Sequence, residues 1–150
     1  MEFDLLVRWA VAGSILLGIG TFVLGGLLTP VAGVWGDGDR RIELTQFGPR
    51  VRGSCERPGG SESYSGFALF GYLWLSRRDR GQTYLISMGF PAKGVHNVAG
   101  MVTARLSLRL RSGALAGTFR GMRFRFNGEK VASATLTAPA ERLWERLGGY

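Results

Sequence analysis

The chain has 150 residues, 45% of them hydrophobic and 20% charged, which bounds it at about one domain with an appendage. One cysteine and one histidine exclude an internal disulfide, a zinc site of the usual Cys/His kind and a CxxC redox pair. With 19 Lys and Arg against 11 Asp and Glu, the formal net charge of +8 points to anionic partners.

From Trp9 to Trp35 no side chain is charged. As a helix rising about 1.5 Å per residue, this run exceeds the roughly 30 Å hydrocarbon core of a bilayer. It predicts a transmembrane anchor over residues 1–36, with Trp9 and Trp35 as interfacial aromatics. A secretory signal fits less well, because Glu2 and Asp4 oppose Arg8 in the region that should be basic, and the apolar run is too long. Arg40, Arg41, Arg50, Arg52 and Arg57 follow the span. The positive-inside bias then puts the amino terminus outside and the remainder in the cytoplasm, at the cell membrane. Within the span Ala10, Ser14 and Gly18 recur every four residues, and Thr21 with Gly25 repeats the spacing. Such ridges of small residues let a partner helix approach closely.

After Gly36-Asp37-Gly38-Asp39 the pattern becomes alternating, and residues 37–150 form a basic β domain. Ile42 and Leu44, then Val51, Gly53 and Cys55, alternate with polar residues around Phe47-Gly48-Pro49, which predicts a hairpin. Arg57 to Ser65 reads as a Gly/Ser-rich loop. Phe67 to Leu75 and Thr83 to Phe90 read as strands joined across Arg78-Asp79-Arg80-Gly81, followed by a loose connection to Gly100. Leu106, Leu108 and Leu110 alternate with Arg105, Ser107, Arg109 and Arg111, and a further strand runs through Leu115 and Phe119 to Phe126. Asn127-Gly128 is a strong hairpin signal leading to Val131 through Leu136. Pro139 suits a first helical turn and predicts a short helix over Ala140 to Leu147. The expected fold is a single apolar helix plus a mainly antiparallel small barrel or curled meander of about seven or eight strands, closed by a short carboxyl-terminal helix.

Ile42-Glu43-Leu44-Thr45-Gln46-Phe47-Gly48 with Val51-Arg52-Gly53 resembles the opening hairpin of lipocalin-like barrels, and Leu115-Ala116-Gly117-Thr118-Phe119 resembles a later strand in them. These pieces cover under a fifth of the chain. The resemblance implies a barrel that carries a hydrophobic small molecule.

Two features of the domain bear on function. The stretch Phe67 to Leu75 is apolar on both faces, so one face, with Phe70, Tyr72 and Trp74, must meet a ligand, a membrane surface or a partner unless the carboxyl-terminal helix covers it. The second is charge: from Arg105 to Lys130 seven basic residues stand against Glu129 alone. Alternation assigns Arg105, Arg109, Arg111, Arg123 and Arg125 to contact with anionic lipid headgroups or the acidic face of another subunit. Nucleic acid is not expected, since Phe124 and Phe126 point away from Arg123 and Arg125. No phosphate-cradling glycine motif and no acidic cluster occurs, and Cys55 with His96 makes a poor dyad, so neither catalysis nor a cofactor is expected. The expected role is a non-enzymatic accessory subunit of a larger membrane complex, with a membrane-tethered carrier of a hydrophobic small molecule as the alternative.

Overall fold

The computed structural model describes residues 2–148. Helix α1 covers Glu2–Leu27, and its stretch from Leu6 to Leu27 is long and apolar enough to cross a membrane. Thr29 and Pro30 end it: proline lacks a backbone donor and disfavours helix at the residue before it. The last turn tightens accordingly, the Thr29 N–H donating to the Gly26 carbonyl at 3.1 Å. Trp35 is therefore not at a membrane interface. It lies on strand β1 (Gly33–Asp37), fully buried, its indole N–H donating to the Val31 carbonyl at 2.8 Å.

The remaining strands are β2 (Arg40–Phe47), β3 (Arg50–Arg57), β4 (Gly60–Leu69), β5 (Tyr72–Arg80), β6 (Val102–Arg111), β7 (Ala114–Asn127), β8 (Lys130–Leu136) and β9 (Ala140–Arg146). All pairings are antiparallel. The order is β6-β5-β4-β3-β2-β1-β9-β7, and β6 pairs with β7 to close an eight-stranded barrel. β8 lies outside the ring, paired only with the far half of β7, so β7 and β8 project beyond the barrel as a two-stranded ribbon. Between β5 and β6 come two short helices, α2 (Gln82–Ser87) and α3 (Val95–Val98). Leu85, Val95 and Val98 form a second small core with Phe90, Phe124, Phe126 and Val131, which packs the ribbon onto these helices.

Several local expectations are corrected. Thr83 to Phe90 begins as helix α2, not a strand. Phe67 to Leu75 is two strands, reversed at Phe70-Gly71, where Phe70 takes a φ of 50°. Arg57 to Ser65 is not a loop but the hairpin of β3 and β4. Ala140 to Arg146 is strand β9 rather than a helix. Trp144 on β9 points inward and is fully buried, making an edge-to-face contact with Tyr64 at 5.7 Å.

The interior is filled by side chains. Trp35, Ile42, Leu44, Val51, Leu73, Leu108, Leu115 and Trp144 are each at most 2% exposed. Each such burial contributes roughly 1.5–3 kcal/mol relative to exposure. The alternation that marked these positions in the sequence is the physical cause: in a closed sheet every second side chain has nowhere to go but inward.

Candidate functional site

The barrel has two unlike ends. At one, the β2–β3 and β4–β5 turns meet the end of α1. Gly25 and Gly26 are buried there, and a Cβ on Gly26 would fall 2.5 Å from the Pro49 backbone nitrogen, so only glycine lets the helix seat on this turn. Hydrogen bonds fasten the contact. The Phe70 N–H donates to the Gly25 carbonyl at 3.1 Å, and the Gly71 N–H to the Thr29 hydroxyl at 2.7 Å. The Gln46 amide bridges the Gly26 carbonyl and the Val31 N–H, each at 2.9 Å. Gly25, expected on a ridge for a partner helix, thus packs against Leu69 and Phe70 of its own barrel. Ala10, Ser14, Gly18 and Thr21 remain exposed, with the Ser14 and Thr21 hydroxyls donating back to Ala10 and Leu17 carbonyls.

Around this end lies an aromatic surface. Phe70, Tyr72 and Trp74 point out of the barrel, so they do not line an interior pocket; they are joined by Phe67, which packs on Phe22 of α1 at 6.3 Å. Tyr72 and Trp74 stack at 5.7 Å, and the Arg109 guanidinium sits 5.2 Å from the Tyr72 ring. Among the described residues the patch stays exposed, and Trp144 of the carboxyl-terminal segment is inside the barrel.

Beside the aromatics runs an open groove of about 750 Å³ across β3 to β7, lined among others by Arg50, Arg52, Phe67, Trp74, Arg105 and Arg120. Of the five arginines expected to act together, Arg105 lies in this groove, Arg109 and Arg111 lie nearer the helix, and Arg123 and Arg125 stand on the projecting ribbon. The β6–β7 register pairs Arg105 with Arg120, and stepping by two along β7 from Arg120 reaches Met122 and Phe124, not Arg123 and Arg125. The five arginines therefore do not share one sheet face. Arg120 and Phe67 were not singled out from the sequence as contact residues, and Arg50 and Arg52 only as signals of orientation; the signal available was arginine in the outward phase of successive strands.

The opposite end is closed. Inside it, Glu62 accepts hydrogen bonds from the Tyr64 and Tyr84 hydroxyls and faces Arg40 at 3.3 Å and Arg77 at 3.7 Å. Arg77 also pairs with Asp79 at 3.1 Å. Burial pushes the Glu62 carboxyl up, but Arg77, the two tyrosines and Arg40 outweigh it and hold the group below its ordinary value. Asp79 goes the other way, burial outweighing Arg77. Burial and the bond to Glu62 push Tyr84 up to about 12. Every Glu62 oxygen is engaged by the protein itself, so the cluster fastens the end that α2 covers rather than presenting a reactive group. Cys55 is buried in the barrel and His96 is exposed on α3. Among the described residues no three His, Cys, Asp or Glu side chains converge to hold a metal ion.

Comparison with protein-family models, curated proteins and solved structures found no match to this chain.

Proposed function

We propose that the chain is a non-enzymatic single-pass accessory subunit of a larger membrane assembly, its helix packing among other spans and its basic barrel clamping the cytoplasmic face. The observation that carries this reading is the joint between α1 and the barrel. Gly25, Gly26, Thr29 and Gln46 leave no flexible linker, so a helix fixed by neighbouring spans would fix the orientation of the barrel as well. Exposed aromatics surrounding the joint suit a headgroup layer, where rings with one apolar and one wet side accumulate. The arginines from Arg40 to Arg57 support a cytoplasmic barrel. Acidic surfaces of neighbouring subunits and anionic headgroups are the partners this charge fits.

Native purification in mild detergent should recover the chain with other membrane proteins. The pair Ser14→Leu and Gly18→Leu should insert normally and lose those companions, because bulky side chains prevent close helix approach. Unchanged co-purification would remove the packing role. Orientation is checked with cysteines placed at Glu2 and Ser61: an impermeant reagent on intact cells should label position 2 and spare position 61, and the opposite pattern would overturn the topology.

A further inference from the structure

The groove outside β3 to β7 joins two chemistries that a plain basic surface does not. In register, Arg52, Ser65, Ser76, Arg105 and Arg120 form one row across five adjacent strands. Arg105 and Arg120 lie directly opposite each other, an arrangement that like charges disfavour. Arg120 is held by the Thr137 carbonyl at 3.0 Å. Among the described residues no carboxylate lies within ion-pairing distance of Arg50, Arg52, Arg105 or Arg120. An anion bound over Ser65 and Ser76 would relieve that repulsion and accept from guanidiniums and hydroxyls together.

The next row toward the helix is Arg50, Phe67, Trp74, Ser107 and Thr118, apolar at its centre. Phe67 pairs with Trp74, each 45% exposed, and Phe67 touches Phe22. Two strand residues separate the rows, about 7 Å. This is close to the thickness of one headgroup layer, roughly 5–7 Å. The sheet is also shaped for it: a Cβ on Gly66 would lie 1.8 Å from the Trp74 carbonyl oxygen, so β4 and β5 approach closely beside the groove floor only because Gly66 has none.

We propose that this groove binds the headgroup of an anionic phospholipid, its phosphate on the Arg52, Arg105 and Arg120 row and its glycerol end on Phe67 and Trp74, with the acyl chains continuing along α1. The proposal rests on the reading of α1 as a membrane span. Charge complementarity selects an anion, and the continuity of the Phe67–Trp74 pair with Phe22 of the helix selects a lipid: a free phosphate has no use for that aromatic pair.

The test uses the full chain in phosphatidylcholine vesicles containing a minority of brominated-chain phosphatidylglycerol or, separately, brominated-chain phosphatidylcholine. Bromine quenches nearby tryptophan. Trp9, exposed on α1, should be quenched by both lipids alike and reports insertion; the difference between the wild type and Trp74→Phe isolates Trp74. Phosphatidylglycerol should quench Trp74 more strongly than phosphatidylcholine, and the preference should fall about fivefold for each of Arg52→Gln, Arg105→Gln and Arg120→Gln. An unquenched Trp9 would overturn the membrane span and the lipid site with it. A quenched Trp9 with no lipid preference at Trp74 would overturn the lipid site alone. Displacement of the lipid signal by polyglutamate, or by inorganic phosphate at similar concentration, would reassign the groove to an acidic peptide or to a free anion.

Discussion

The two ends of the barrel solve opposite problems with the same residue type. At the end that α2 covers, Arg40 and Arg77 face Glu62 and Asp79 inside the wall, and their charge is neutralised within the protein. On the outer wall between its middle and the end where α1 enters, Arg50, Arg52, Arg105 and Arg109 stand outside beside exposed aromatics, and among the described residues no acid pairs with them. Net charge alone cannot distinguish these cases. Pairing distance and burial can: the acids and bases of the closed end satisfy one another, whereas the outer arginines make no ion pair among the described residues, as the proposed contact requires.

The sharpest way to break that division is Glu62→Ala. It removes the acceptor of two hydroxyls and one of the two carboxylates that face Arg40 and Arg77, which keep Asp37 and Asp79, and should cost about 3–5 kcal/mol, read as a lower thermal or urea midpoint of the full chain in detergent. A change below about 1 kcal/mol would mean that the closed end is not where stability resides. Thr29→Val comes next. It removes the hydroxyl that accepts from the Gly71 N–H and donates to the Gly25 carbonyl at 3.0 Å, and a loss of about 1–3 kcal/mol is expected locally. Hydrogen exchange at the Phe70 and Gly71 amides should quicken while Leu73 and Leu108 stay protected; equal quickening everywhere would show that the joint and barrel unfold as one.

Alkaline titration sharpens the comparison further. Tyr84 is raised toward 12 in the folded chain, above the ordinary phenol value of about 10. Its contribution is therefore fully present below pH 10 and is lost as pH rises from about 10 to 12. Tyr64 is raised as well, by burial and by the Glu62 charge, and acts in the same direction. The unfolding midpoint should fall over that window in the wild type and less steeply in Tyr84→Phe. On the acid side Glu62 is lowered and Asp79 raised, so their effects oppose. The smallest effect is expected at the open end: Arg105→Gln should leave stability within about 0.5 kcal/mol or raise it slightly, because Arg120 loses a like-charged neighbour. A large loss there would blur the two ends into one structural network.

How much of this was legible in the sequence follows from which forces are local. Alternation in Leu106, Leu108 and Leu110 and the Asn127-Gly128 turn identified strands and a hairpin that the structure contains, because pleating and turn chemistry act over a few residues. The uncharged run identified α1, but its boundary moved, since Pro30 stops the helix and Trp35 finds a better environment inside the barrel. Leu143, Trp144 and Leu147 are spaced as readily for a helix as for a strand. What decides for β9 is the pair of waiting neighbours, β1 and β7, which no local pattern reveals. The groove was half visible: Trp74 and Arg105 were singled out, whereas Arg52 and Arg120 join them only through a register that spans five strands. The Glu62 cluster was invisible, because Ser63 and Ser65 around it read as loop.

The seam of the barrel joins its first strand to its last, with Trp35 opposite Arg146. During synthesis α1 and β1 emerge first and β9 emerges after every other strand, so the ring cannot shut while the chain is still growing through β8. This pairing also has nearly the longest sequence separation in the domain, which makes it a slow step. Until it forms, Trp35 and the inner faces of β1 and β7 have an open gap beside them. A nascent chain would wait in that state with its hydrophobic interior open at one side, and the emergence of β9 from the ribosome would set the moment at which it could close.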